Sequence, residues 1–196
     1  MKSFGKAGMI LAKITEIVFW IGVISMVVAF ALCLIKPAGF ISLQEDTFAS
    51  TDGTLQTMGL EVANIPADVN AFTTVLLWFA PAAAILMSLI AMIFRNLYLI
   101  MKKVHADKKE AFSETNSPFQ PDIIRMVREI GIFALSIPIV ELIANEVFYL
   151  AFRTAGLPVE IGGFSVTLLV FGLVILYLSS IFSYGGQLQQ ETEGLV

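Results

Sequence analysis

Stretches without charge organise this chain. Ile17–Ile35, Val69–Phe94 and Ile161–Gln190 run for 19, 26 and 30 residues with no charged side chain. A helix needs roughly 20 mostly apolar residues to cross a hydrocarbon core of about 30 Å, so each run predicts a membrane span. A fourth run, Ile130–Phe152, is also long enough to span and is apolar apart from Glu141, Asn145 and Glu146. The pattern therefore predicts four transmembrane helices, at about 14–36, 72–95, 130–152 and 163–185. Strand-like alternation is confined to one place. Ile41/Leu43 and Met58/Leu60/Val62 alternate on either side of Asp52-Gly53, a hairpin-turn dipeptide, and predict a small β-hairpin between the first two spans.

The segment between the second and third spans carries its own signals. Helix two is expected to continue past Tyr98 through Lys102-Lys103, as far as Phe112. Ser113–Pro121, with two prolines and several turn residues, breaks it. Pro121 suits a first helical position, and Asp122 beside it is favoured by the positive helix N-terminus. Phe119 and Ile124 have the spacing of a hydrophobic staple, and Ile123, Val127 and Ile130 form an apolar stripe leading into the third span.

Composition agrees with a lipid solvent. Hydrophobic residues make up 57% and charged residues 14%, against roughly 45–50% and about 25% in soluble proteins. A water-soluble domain of 196 residues cannot hide that much apolar surface. The expected class is an all-α membrane protein forming one domain over residues 1–196. The first span is expected to stay attached: its apolar part exceeds the roughly 7–15 residues of a signal peptide, and no small-x-small cleavage site follows it.

Basic residues orient the bundle. Lys2, Lys6 and Lys13 precede the first span, and seven Lys or Arg lie from Arg95 to Arg128; only Lys36 and Arg153 fall on the opposite side. The positive-inside bias places both termini and the central loop in the cytoplasm. Trp20 and Tyr98 are then expected near the inner interface, and Trp78 and Tyr149 near the outer one. The first outer loop is acidic, with Glu45, Asp46, Asp52, Glu61 and Asp68 against Lys36. A solvated face is the simpler reading of that run, ahead of a site for a cationic peptide or metal ion.

Candidate chemistry centres on the third span. Glu141 lies 11 residues beyond Ile130, roughly 16 Å along a helix and near mid-bilayer. Pro138 and Asn145 share its face, and Pro138 frees the carbonyl of Ala134. A charged carboxyl there costs at least about 2.5–3.5 kcal/mol, so the proton-carrying acid is the expected form. Two readings follow. Glu141 is a proton or cation relay, or it bonds Asn145, a backbone carbonyl or a hydroxyl of Ser165, Thr167 or Ser179 as interhelical glue; the second is preferred. Glu146, about 140° around the helix, is expected to snorkel outward or reach Arg153.

Other constellations are structural. Gly22, Ser25, Ala29 and Cys33 form one small-residue stripe, and Ala80, Ala84 and Ser88 another. Such stripes suit close packing within one chain or in a homo-oligomer, with the first expected. Gly162-Gly163 reads as a turn before the fourth span and Gly185-Gly186 as a loosened end to it. One cysteine, Cys33, excludes an intramolecular disulfide, and with one histidine, His105, no His/Cys metal site assembles. No cofactor motif, Cys-x-x-Cys, Ser/His pair or phosphate-binding glycine loop is present, so no enzyme and no cofactor are expected. Lys102, Lys103, Lys108 and Lys109 form a candidate cytoplasmic docking surface. Its mixed charge is no footprint for direct nucleic-acid binding.

Two stretches carry a likeness to a known family. Ser117-Pro118-Phe119-Gln120-Pro121, followed by Ile123 to Gly131, resembles the start of the third helix in YoaS-like bacterial inner-membrane proteins. The tail Phe182-Ser183-Tyr184-Gly185-Gly186-Gln187-Leu188 with Glu191 to Val196 resembles that family's ending, with Glu193 where Asp is frequent and Leu195 in place of a frequent Thr. The resemblance implies a multi-pass inner-membrane protein partnered by a cytoplasmic helix-turn-helix regulator, and offers no catalytic residues. The sequence thus points to a non-enzymatic membrane sensor or regulatory partner in contact with the lipid bilayer. The alternative is a small proton-linked transporter using Glu141.

Overall fold

The computed structural model describes residues 2–35, 54–57, 60–65, 69–107, 120–157, 160–162 and 165–193. Four long helices dominate: α1 (Lys2–Ile35), α2 (Val69–Asp107), α3 (Pro121–Thr154) and α4 (Val166–Glu193). Each contains a stretch long and apolar enough to cross a membrane: Lys6–Ile35, Ala71–Val104, Pro121–Thr154 and Val166–Gln189. Three short strands, β1 (Leu55–Thr57), β2 (Leu60–Ala63) and β3 (Glu160–Ile161), form one antiparallel sheet with β2 in the middle.

The helices outrun the predicted spans. The 39 residues of α2 are about 58 Å long at 1.5 Å per residue, well beyond the hydrocarbon thickness. Its C-terminal half reaches Asp107, while 108–112 lie outside the described residues. Pro121 does open α3, and the Gln120 carbonyl accepts from the amides of Ile123 and Ile124 at 2.9 and 3.1 Å. Phe119, the expected staple partner, lies outside the described residues. The start of α4 at Val166 is later than the expected 163, and α4 continues through Gly185-Gly186 rather than loosening there.

Two compact units make up the chain. The first comprises Met1–Val18, Leu89–Ser136 and Thr167–Val196. Here the start of α1 meets the end of α2: Lys13 Nζ lies 5.3 Å from the centre of the Tyr98 ring and pairs with the largely buried Glu16 at 2.9 Å. Against α2, α3 runs antiparallel in a fixed register, with Asn96 bonded to Glu129 at 3.0 Å and Lys103 paired with Asp122 at 2.5 Å. Glycine sets the α3–α4 approach. A Cβ added to Gly131 would come 2.8 Å from Leu176, and one added to Gly172 would come 2.8 Å from the backbone nitrogen of Leu135. Ser179 completes the contact by donating to the Ile124 carbonyl at 3.3 Å.

The second unit comprises Phe19–Ser88 and Ile137–Val166. Its core is aromatic: Phe79, Phe148 and Phe152 are almost fully buried, with ring centres 6.3 and 5.6 Å apart along that series. Such tilted pairs add to the burial that each ring already contributes. In the sheet, Leu55 pairs with Val62, Thr57 with Leu60, and Val62 with Ile161. Leu60 and Val62, on one face of β2, are completely buried. Residues 58–59 between β1 and β2, the Asp52-Gly53 turn and the Ile41/Leu43 strand lie outside the described residues. Gly22, from the predicted α1 stripe, sits against Met87 of α2; Ala80 of the second stripe is fully buried, whereas Ser25 is exposed.

The end of α3 is built for a sharp stop. Gly156 has φ +68°, its amide donates to Arg153 O at 3.2 Å, and the Leu157 amide donates to Phe152 O at 3.0 Å. This is a Schellman motif, which satisfies the last carbonyls and turns the chain back. The returning segment joins β2 as β3 and then enters α4.

Most side chains of α1 and α4 face outward and are apolar, for example Ile10, Leu11, Ile21, Leu173, Val174 and Tyr177. In water such a surface would drive aggregation. In lipid it is simply the solvent-facing side.

Candidate functional site

In the second unit, Glu141 is fully buried, with 0% of its surface exposed. Its Oε2 accepts a 2.8 Å hydrogen bond from the Ser165 amide, the residue just before α4. One turn further along α3, Asn145 Nδ2 donates to the Gly162 carbonyl at 2.8 Å. Gly162 in turn donates its amide to Glu61 O of β2 at 2.9 Å. Its missing side chain permits this: a Cβ there would meet Glu61 Cβ at 2.9 Å. The two polar residues of α3 thus hold the β3–α4 connection, and that connection is bonded into the sheet.

The arrangement answers a definite need. Non-helical backbone beside apolar helices carries donors and acceptors that lipid cannot satisfy, at several kcal/mol each. Glu141 and Asn145 supply one partner apiece. Their remaining oxygens, Glu141 Oε1 and Asn145 Oδ1, are buried without a hydrogen-bond partner among the described residues. Four residues apart, they lie on one face of α3.

The other predicted site residues distribute as follows. Pro138 is buried on the same face, and α3 passes through it unbroken. Glu146 is exposed and makes no ion pair among the described residues; Arg153 instead lies 6.0 Å from the Tyr149 ring centre. Of the candidate docking lysines, Lys102 is exposed and Lys103 pairs with Asp122, while Lys108 and Lys109 lie outside the described residues. The Ser165 partner of Glu141 is a backbone amide, where a hydroxyl was the expectation. The Ser179 hydroxyl bonds elsewhere, to Ile124 O.

Sequence reasoning missed the cluster of Asn96, Arg125 and Glu129 in the first unit. Glu129 accepts from buried Asn96 at 3.0 Å and from Arg125 Nε at 2.9 Å. Two signals marked it: the i,i+4 spacing of Arg125 and Glu129, and an amide directly after the charge that ends the second apolar run.

Four helices of this length and apolarity, with outward-facing hydrophobic surfaces, define a multi-pass membrane protein. Comparison with protein-family models, curated proteins and solved structures finds no match for this chain.

Proposed function

We propose that this chain is a non-enzymatic membrane sensor or regulatory partner in which the sheet receives a signal and α3 carries it. The carrying observation is the double fastening of the β3–α4 connection by Glu141 and Asn145. Any ligand or force that displaces β2 or β3 pulls on Gly162, and hence on the Asn145 side chain. With the basic residues on the cytoplasmic side, the termini and the Arg95–Arg128 segment face the cytoplasm, and the sheet faces outward. On the resemblance to YoaS-like proteins, the membrane is a bacterial inner membrane and the partner a helix-turn-helix regulator.

Amide hydrogen exchange in lipid nanodiscs tests the reading. Asn145→Leu releases the Gly162 carbonyl, and exchange is expected to rise both at 160–165 and within Lys102–Arg128. A rise confined to 160–165 would mean that the fastening is only local.

One observation favours a second reading. Glu141 Oε1 and Asn145 Oδ1 are two buried acceptors on one helix face, which is where a proton or small cation would bind in a proton-linked transporter. Proton flux into proteoliposomes that Glu141→Gln abolishes would establish it.

A further inference from the structure

A second polar feature lies in the first unit, in a cleft of about 370 Å³ between α2 and α3. Its walls follow the antiparallel register already set by Asn96–Glu129 and Lys103–Asp122. At one end stand Met92 and Phe133, then Asn96 and Glu129, then Leu99 and Met126, with Asp122 at the other end and Arg95 and Arg125 also lining it. Apolar pairs therefore stand on both sides of the Asn96–Glu129 bond. Arg95, next to Asn96, lies at the limit of the apolar run that closes at Phe94, where headgroups begin.

Its charge balance is asymmetric. Asp122 is matched by Lys103, and Glu129 by Arg125 Nε together with Asn96. Arg95 has no ion-pair partner among the described residues and is exposed. A planar guanidinium with free donors at headgroup depth matches a phosphate diester, and the Met92/Phe133 end matches an acyl chain.

We infer that this cleft binds one anionic phospholipid, its phosphate on Arg95 and its acyl chain toward Met92 and Phe133. The inference rests on the membrane assignment and is independent of the sensor reading. Zwitterionic lipids present the same phosphate with a cationic group that Arg95 repels, so the site discriminates by headgroup charge. The lipid clamps α2 to α3 beside the Asn96–Glu129 bond.

Native mass spectrometry of the full chain, titrated with phosphatidylglycerol or phosphatidylcholine, provides the test. The parent is expected to retain phosphatidylglycerol in preference to phosphatidylcholine. Arg95→Gln should lose about tenfold in phosphatidylglycerol affinity, the scale of one charge-assisted contact. Arg95→Lys, keeping charge without the fork, should lose less. Lys6→Gln removes the same charge from an exposed position on α1, outside the cleft, and should bind like the parent. Equal retention of the two lipids by the parent would overturn the proposal without recourse to any variant, as would equal losses in Arg95→Gln and Lys6→Gln. Competition by millimolar inorganic phosphate would assign the site to free phosphate and overturn the lipid.

Discussion

Gly172 brings α4 against the backbone of α3: a Cβ built on it would lie 2.8 Å from the amide nitrogen of Leu135. Four residues along each helix the relation is reversed, with Gly131 on α3 against Leu176 on α4. Each helix thus offers one glycine and accepts one leucine. Lipid tails are as apolar as Leu, so burial alone drives little association between membrane helices; close backbone approach supplies it through dispersion contacts.

That geometry ranks four glycine-to-alanine substitutions. Gly172→Ala meets backbone and should cost the most, about 1–3 kcal/mol as an overpacking change. Gly131→Ala meets a leucine side chain and then its amide at 3.0 Å, and should follow closely. Gly22→Ala meets only the flexible Met87 thioether and should cost little. Gly8→Ala finds Met101 at an ordinary 3.5 Å and should be neutral or slightly stabilising. Thermal unfolding in mild detergent measures the series, and a Gly8 variant less stable than the Gly172 variant would refute the ranking.

Glu141 separates fastening from proton transfer. Gln retains a carbonyl oxygen for the Ser165 amide while abolishing titration, so Glu141→Gln should unfold at the parent's temperature. Glu141→Leu removes the acceptor and should lose roughly 1–3 kcal/mol. If Glu141→Gln also keeps every pH-dependent property of the parent, the transporter reading is eliminated.

The proposed cytoplasmic surface is open to a charge test. Replacing Lys102, Lys103, Lys108 and Lys109 by Gln should weaken co-purification of a cytoplasmic partner while leaving the bundle folded. The lost Lys103–Asp122 pair is exposed, and exposed pairs contribute little stability. Undiminished capture by the four-fold variant would exclude this surface as the docking site.

The proposed topology rests on the basic bias and can be read directly. Reporters fused after Val196 or inserted within Lys102–Ser117 should register as cytoplasmic, and those within Gln44–Leu60 as extracytoplasmic. An extracytoplasmic signal at either of the first two positions would invert or break the proposed arrangement.

The four long helices were legible in the sequence because apolarity over 20 or so residues is a local property, and lipid leaves the backbone no alternative but to bond within its own segment. Pro121 announced the start of α3 for an equally local reason: its fixed φ and missing amide cost nothing in a first turn. The polarity of Glu141 and Asn145 also stood out, but not what they hold. Their partners are the backbone of Ser165 and Gly162, and a backbone amide or carbonyl leaves no signature in residue identity. Only the folded chain, by turning back at Gly156 and pairing β3 with β2, places those groups beside α3. Glycine roles divide in the same way. Gly185-Gly186 suggested a loosened helix end by propensity, yet α4 runs on to Glu193; Gly131 and Gly172 stood in ordinary apolar runs, yet set the closest helix contacts. Propensity acts on one segment at a time, whereas the distance between two helices depends on which of their residues meet, and register is a property of the pair.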